Sequence, residues 1–166
     1  MNKTENQYYE DLFKIQDENF PVQVVLSPSE DKIINVDLSK RKIEAPKFLS
    51  VVKDHKSETV YFKVNRFFEY MDLTNLACVV QYVNKAGKSR YYPVPFYDVH
   101  TFSKEDMIVF PWVIDGEATE VAGDIQFALR FYKMDKTSHK FLYNLTTLPA
   151  KGTILYGMDK SIFNPE

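Results

Sequence analysis

Three histidines, one cysteine and 23 acidic residues are the groups from which this chain could build a reactive site. His55, His100 and His139 lie far apart, with no HxxxH or HExxH spacing among them. Asp98 and His100 are two positions apart, which on a strand puts both side chains on one face. Such a pair can orient an imidazole or offer two ligands, whereas a zinc site takes three or four. Cys78 lies in the apolar run LACVVQYV with no neighbouring histidine, so it reads as a core thiol and not as a nucleophile. A lone cysteine also excludes an internal disulfide. Glu58, Glu69 and Asp72 are carboxylates of the kind glycosidases pair, but no spacing brings them together. The phosphate-binding loop, the dinucleotide fingerprint and the G-x-S-x-G elbow do not occur. Asn144 opens the sequon NLT, which matters only in a secreted chain. The opening MNKTENQYYEDLF lacks a positive segment followed by an apolar one, so no secretory signal is expected. The expectation is a non-enzymatic protein with no catalytic residue, no metal and no cofactor.

Binding is the alternative use of side chains, and here the sequence is rich. It holds 13 Phe, 11 Tyr and one Trp. In RYYPVPFYDVHTF, the residues Tyr91, Tyr92, Phe96 and Tyr97 exceed what one strand face can bury. Some are expected at the surface beside Arg90, as at protein interfaces. A sugar platform built on Tyr91, Tyr92 or Tyr97 is the other reading. Protein contact is favoured, because only Asp98 supplies a polar partner nearby. A net charge of −2 argues against sequence-independent nucleic-acid binding. No apolar run approaches the ~20 residues needed to span a bilayer, so no membrane partner is expected.

The elements that must hold these residues fall into two parts. Residues 1–31 contain two lysines and seven acids, a charge of −5, while residues 32–166 carry 19 bases against 16 acids, or +3. We read 1–31 as an acidic N-terminal arm and 32–166 as a β-sandwich domain. In TENQYYEDLFKIQDENFP, Thr4 and Gln7 form a capping box, and Tyr9, Leu12, Phe13 and Gln16 share a helical face. Pro21 ends the pattern. The helix either packs on its own domain or docks on another subunit through Tyr8, Tyr9, Leu12 and Phe13. On the docking reading, removal of 1–31 leaves a folded sandwich and weakens assembly.

From Ile33 onward the signals are strands. IINVDLSKRKIEA is a hairpin turning at Leu38-Ser39-Lys40. TVYFKV alternates, LACVVQYV is apolar on both faces as a central strand would be, and RYYPV returns from the turn NKAGKS. Pro93 and Pro95 mark an edge or bend, and Pro111 an edge or bulge. Ile108, Phe110, Trp112 and Ile114 share one face. In DIQFALRFYKMDKTSHKFLYNL, Ile125, Phe127, Leu129 and Phe131 should oppose them across a core, and a second run (Phe141, Tyr143, Leu145) follows. Short strands at regular spacing, with no helix between residues 48 and 155, predict an all-β, immunoglobulin-like antiparallel sandwich behind a short helical arm.

Three stretches carry a family likeness. These are YFKV with the later Asp72, Leu73 and Thr74; VVQYVNKAGK; and EVAGDIQFALRFY. Over residues 43–155 the chain resembles an immunoglobulin-like module of tailed-phage virion proteins. The likeness is to the N-terminal domain of baseplate upper proteins and to related head- or tail-fibre attachment domains. The resemblance implies a virion structural protein, assembled in the bacterial cytoplasm, whose partners are other virion proteins and copies of itself. In that family the module usually precedes a fibre or receptor-binding region. With Glu166 following soon after the sandwich, an adaptor or decoration subunit is expected.

Overall fold

The computed structural model describes residues 5–24, 33–44, 49–51, 58–102 and 105–155. Its elements in chain order begin with helix α1 (Glu5–Glu18), β1 (Val22–Val24), β2 (Ile33–Asp37), β3 (Lys42–Ile43), β4 (Ser50–Val51) and β5 (Glu58–Asn65). A small hairpin follows, β6 (Phe67–Phe68) and β7 (Met71–Asp72), then a 3₁₀ turn over Leu73–Asn75. The remaining strands are β8 (Ala77–Val83), β9 (Ser89–Pro93), β10 (Phe96–Phe102), β11 (Glu105–Ile114), β12 (Gly123–Met134), β13 (Phe141–Thr146) and β14 (Ala150–Leu155). One sheet runs β1-β10-β11-β5-β2-β3 and the other β4-β14-β12-β8-β9, with β13 beside the second half of β12. The fold is an all-β sandwich with a small N-terminal helix. Three pairs, β1/β10, β2/β5 and β4/β14, are parallel, where a purely antiparallel sandwich was expected.

The core forms where the alternation placed it. Ile125, Phe127, Leu129 and Phe131 on β12 are buried, as are Ile108, Phe110, Trp112 and Ile114 on β11. The two rows meet between the sheets. Trp112 and Phe127 have ring centroids 5.1 Å apart, and Phe110 meets Phe131 edge-on at 5.8 Å. Phe62 on β5 packs against Phe110, Trp112 and Phe127. Edge-to-face and tilted pairs of this kind are worth ~0.5–1.5 kcal/mol each beyond their area burial. Among the described residues Trp112 Nε1 is buried without an acceptor, so the ring is held by packing alone.

The prolines mark changes of partner. β9 is the edge of its sheet and ends at Pro93; after Val94 and Pro95 the chain enters the opposite sheet as β10. Pro111 lies inside its sheet, paired with Tyr61, and not at the edge its sequence suggested. The β10 ladder against β11 ends at Asp98 opposite Val109, so Pro111 has one open side where a missing N–H is tolerated. The turn between β8 and β9 uses Gly87 at φ +83°, as a hairpin with one left-handed position requires. Between β6 and β7 both Glu69 (φ 47°) and Tyr70 (φ 70°) are left-handed, although neither is glycine. Such backbone costs ~1–2 kcal/mol per residue, so the flanking contacts must hold it. They include the two bonds from Arg66 Nε and Nη2 to Asp72, at 3.1 and 3.0 Å.

Phe127→Ala and Trp112→Ala each remove a ring from this two-sheet stack. Each is expected to destabilise the fold by about 3–5 kcal/mol in urea unfolding, with the slope unchanged. A loss under about 1 kcal/mol would place the residue outside the core.

Candidate interaction surface

At one end, β8 and β12 are apolar on the outer face as well as the inner one. Ala77, Val79, Tyr132 and Met134 form a second buried cluster there, and α1 covers it. Leu12 enters the cluster and is 1% exposed. Tyr132 donates its hydroxyl to the Leu12 carbonyl. Gln16 binds Met134 twice, its Nε2 donating to the carbonyl at 3.1 Å and its Oε1 accepting from the N–H at 2.6 Å. Tyr9 meets Phe141 edge-on at 5.4 Å. Phe13 stacks on the His139 ring at 3.8 Å, and His139 Nδ1 lies 2.9 Å from Glu10 Oε1. Burial, chiefly, pushes the Tyr132 hydroxyl pKa up, so it stays a neutral donor.

Of the two expectations for this helix face, packing on its own domain is the one the structure shows for Leu12, Tyr9 and Phe13. Leu12 is buried, Tyr9 and Phe13 pack on the same cluster, and Tyr8 is half-buried at its rim, edge-on to Tyr91 at 6.2 Å. Val22–Val24 of the arm also joins a sheet, pairing with Phe96, Tyr97 and Asp98. Over residues 5–24, then, the arm is joined to the sandwich through α1 and Val22–Val24. Thr4 of the capping box lies outside the described residues. The cue was present in LACVVQYV: a strand apolar on both faces needs cover on both faces, and α1 is the second cover.

The tyrosines of RYYPVPFY do not share a surface, because strand alternation separates them. Tyr91 faces outward under α1, whereas Tyr92 packs on the inner core and its hydroxyl bonds the Val113 backbone. Tyr97 is fully buried, donates to the Leu76 carbonyl at 2.8 Å and has its pKa pushed well up by burial. Phe96 is half-buried at the start of β10, opposite Val22. Tyr97, expected as a partner or sugar contact, and Leu12, expected as a partner contact, are both buried and do not reach the surface.

Several of the groups capable of chemistry are held in structural contacts. Asp98 is buried, and its Oδ1 lies 2.7 Å from His100 Nε2. Among the described residues no three His, Cys, Asp or Glu side chains gather as a metal site, and His55 lies outside that set. Burial raises the Cys78 thiol well above its ordinary pKa. Asp72 caps the 3₁₀ turn by accepting from Thr74 N–H and hydroxyl, besides its pair with Arg66. Burial works to raise the Asp72 carboxyl, but the bonds from Arg66 and Thr74 outweigh it and hold the pKa below its usual value. No helix among the described residues is long and apolar enough to cross a membrane.

One open groove, of about 980 Å³, runs beside α1 over the outer face of β8, β9 and β12. Tyr8, Lys14, Gln81, Tyr91 and Gln126 line it. Gln81 Oε1 accepts from Arg130 Nε at 2.9 Å, and Arg130 also reaches Asn144 Oδ1 at 3.3 Å. The cations at its far rim are paired, Lys88 with Glu120 at 2.9 Å and Arg90 with Glu117. The groove offers amides and rings together with the charged side chains of Asp11, Lys14 and Glu18, a lining suited to polar recognition.

No family model matches the chain. No curated protein matches it either. Among solved structures it is similar to the N-terminal domain of phage TP901-1 ORF48 at 9% identity, covering 75% of this chain and 97% of that one, with a TM-score of 0.44.

Three outcomes follow from the helix and the cap. Leu12→Ala should cost about 2–5 kcal/mol in chemical unfolding, because it opens a cavity under α1. Removal of residues 1–20 should expose the second cluster, so the remainder binds a hydrophobic dye instead of behaving as an intact sandwich. The Asp72 pKa is lowered in the folded state, so its stabilisation is complete above the unfolded carboxyl value of about 3.9 and is lost as pH falls below it. Asp72→Asn should therefore lower stability at pH 6 and narrow the difference between pH 6 and pH 3.

Proposed function

We propose that this chain is a non-enzymatic structural protein of a tailed-phage particle, an adaptor or attachment module that works through contacts with other virion proteins. One observation carries the reading. The three stretches that resemble the virion module fall on β5 with its following turn, on β8 with its hairpin, and on β12. These strands supply Phe62, Val80 and Phe127 to one core, so the likeness coincides with the packing skeleton of the fold. The commitment of Cys78, Asp72 and His139 to core, cap and stacking supports a role without catalysis. A second reading, glycan binding, has the groove in its favour, where Gln81, Gln126 and Tyr91 come together.

Mass spectrometry of purified phage particles should recover this chain at a fixed ratio to the major structural proteins. Its absence from particles would reject the structural role. Saturable binding to host-wall glycans on an array, abolished by Tyr91→Ala with folding intact, would move the function to the second reading.

A further inference from the structure

Beyond the edge of α1 the outer face of β8, β12 and β13 turns polar. Gln81, Arg130 and Asn144 follow one another across these three neighbouring strands. Arg130 Nε donates to Gln81 Oε1 at 2.9 Å and Nη1 to Asn144 Oδ1 at 3.3 Å, while the guanidinium lies 5.7 Å from the centre of the Phe141 ring. A guanidinium donates and never accepts, so it fixes which way each amide points. Both oxygens turn to Arg130, and the Gln81 Nε2 is left as a donor in the groove that Gln81 lines.

The rest of the lining has the same character. Gln126 is exposed there, and Tyr8 and Tyr91, whose rings stand at 82° to each other, make an aromatic corner between helix and sheet. The charges offset one another. Lys14, Lys88 and Arg90 stand against Asp11 and Glu18, and Glu120 and Glu117 pair with Lys88 and Arg90. Three cations beside four carboxylates make no attractive field for a phosphate or a carboxylate. The main chain is closed as well. β8 is bonded to β9 and β12, and β12 to β8, β13 and β14, so along this floor an extended peptide finds no strand edge to join. A ligand here is met by side-chain amides and rings.

We propose that this groove binds a neutral oligosaccharide, with Gln81 and Gln126 bonding its oxygens and a sugar face resting in the Tyr8–Tyr91 corner. Arg130 is the positioning residue: it touches no ligand and keeps the Gln81 amide turned as a donor. A sugar carries hydroxyls around an apolar C–H face, and amides set beside rings meet both. A phosphorylated or acidic chain would bring charge that the lining does not answer. The proposal rests on the glycan reading above and narrows it to uncharged ligands.

Heteronuclear NMR on the isotope-labelled full chain, titrated with chitotriose, cellotriose and maltotriose and with trigalacturonate as the charged counterpart, tests it. At least one neutral trisaccharide should shift the side-chain amide signals of Gln81 and Gln126 saturably, and trigalacturonate should not. Gln126→Ala, at an exposed position, and Gln81→Leu should each weaken that binding about five-fold, as for one lost hydrogen bond, with the thermal melt unchanged. Arg130→Lys keeps the charge and loses the planar fork that holds the amides. It should weaken binding as Gln81→Leu does and add nothing to that variant, whereas a merely structural role would lower the melt and leave the affinity alone. No shift from any neutral sugar, shifts indifferent to both glutamine variants, or tighter binding of trigalacturonate overturns the proposal. An array on which only acidic glycans bind sinks this proposal and leaves the glycan reading standing, whereas an array with no glycan bound sinks both.

Discussion

β12 is bonded along both edges and, over its second half, covered on both faces, and most of the fold is organised by that fact. On one edge it carries β8; on the other it carries β14 and then β13. Its inner row fills the space between the sheets, while Tyr132 and Met134 on the outer row lie under α1. A strand in this position buries its whole inner row and the end of its outer row, so much of the cost of ordering it must be met by packing on both faces. The helix is therefore part of the sandwich in energetic terms, although it lies outside it in topology.

Much of this was legible because strand alternation is a strong code. The rows on β11 and β12, the hairpin through Asn84–Gly87 and the edge at Pro93 all follow from period two and turn chemistry. The destination of α1 was not legible, since its pattern of Tyr9, Leu12, Phe13 and Gln16 states that one face needs cover without saying whose. The double-sided apolar run at Ala77–Val83 held the answer, but both-face burial in a strand usually means a helix layer supplied from anywhere. The directions of β1, β2 and β4 were also hidden, because a short strand joins an edge either way.

Tyrosine placement shows why counting aromatics misleads. Tyr91 and Tyr92 are neighbours in sequence and lie on opposite faces of one strand; Tyr97 is inside the core. Among the described residues, the surface aromatics that the fold leaves open are instead Phe20, just before β1, and Phe67 and Tyr70, on the strained hairpin β6–β7. Nothing in RFFEYMD marked that hairpin, because Glu-Tyr is a poor sequence for a turn with two left-handed residues. Its geometry comes from Arg66 and Asp72 clamping the two ends and from the turn after it.

The placement of Cys78 has a use for anyone handling this protein. Its sulfur sits on the inner face of β8, 1% exposed, and burial keeps it protonated. A thiol reagent reaches it only after β8 has parted from β9 or β12, and since β8 is central, that is close to opening the whole molecule. The chain thus contains its own clock: the rate at which this single sulfur is labelled counts excursions out of the native state, with no foreign probe introduced.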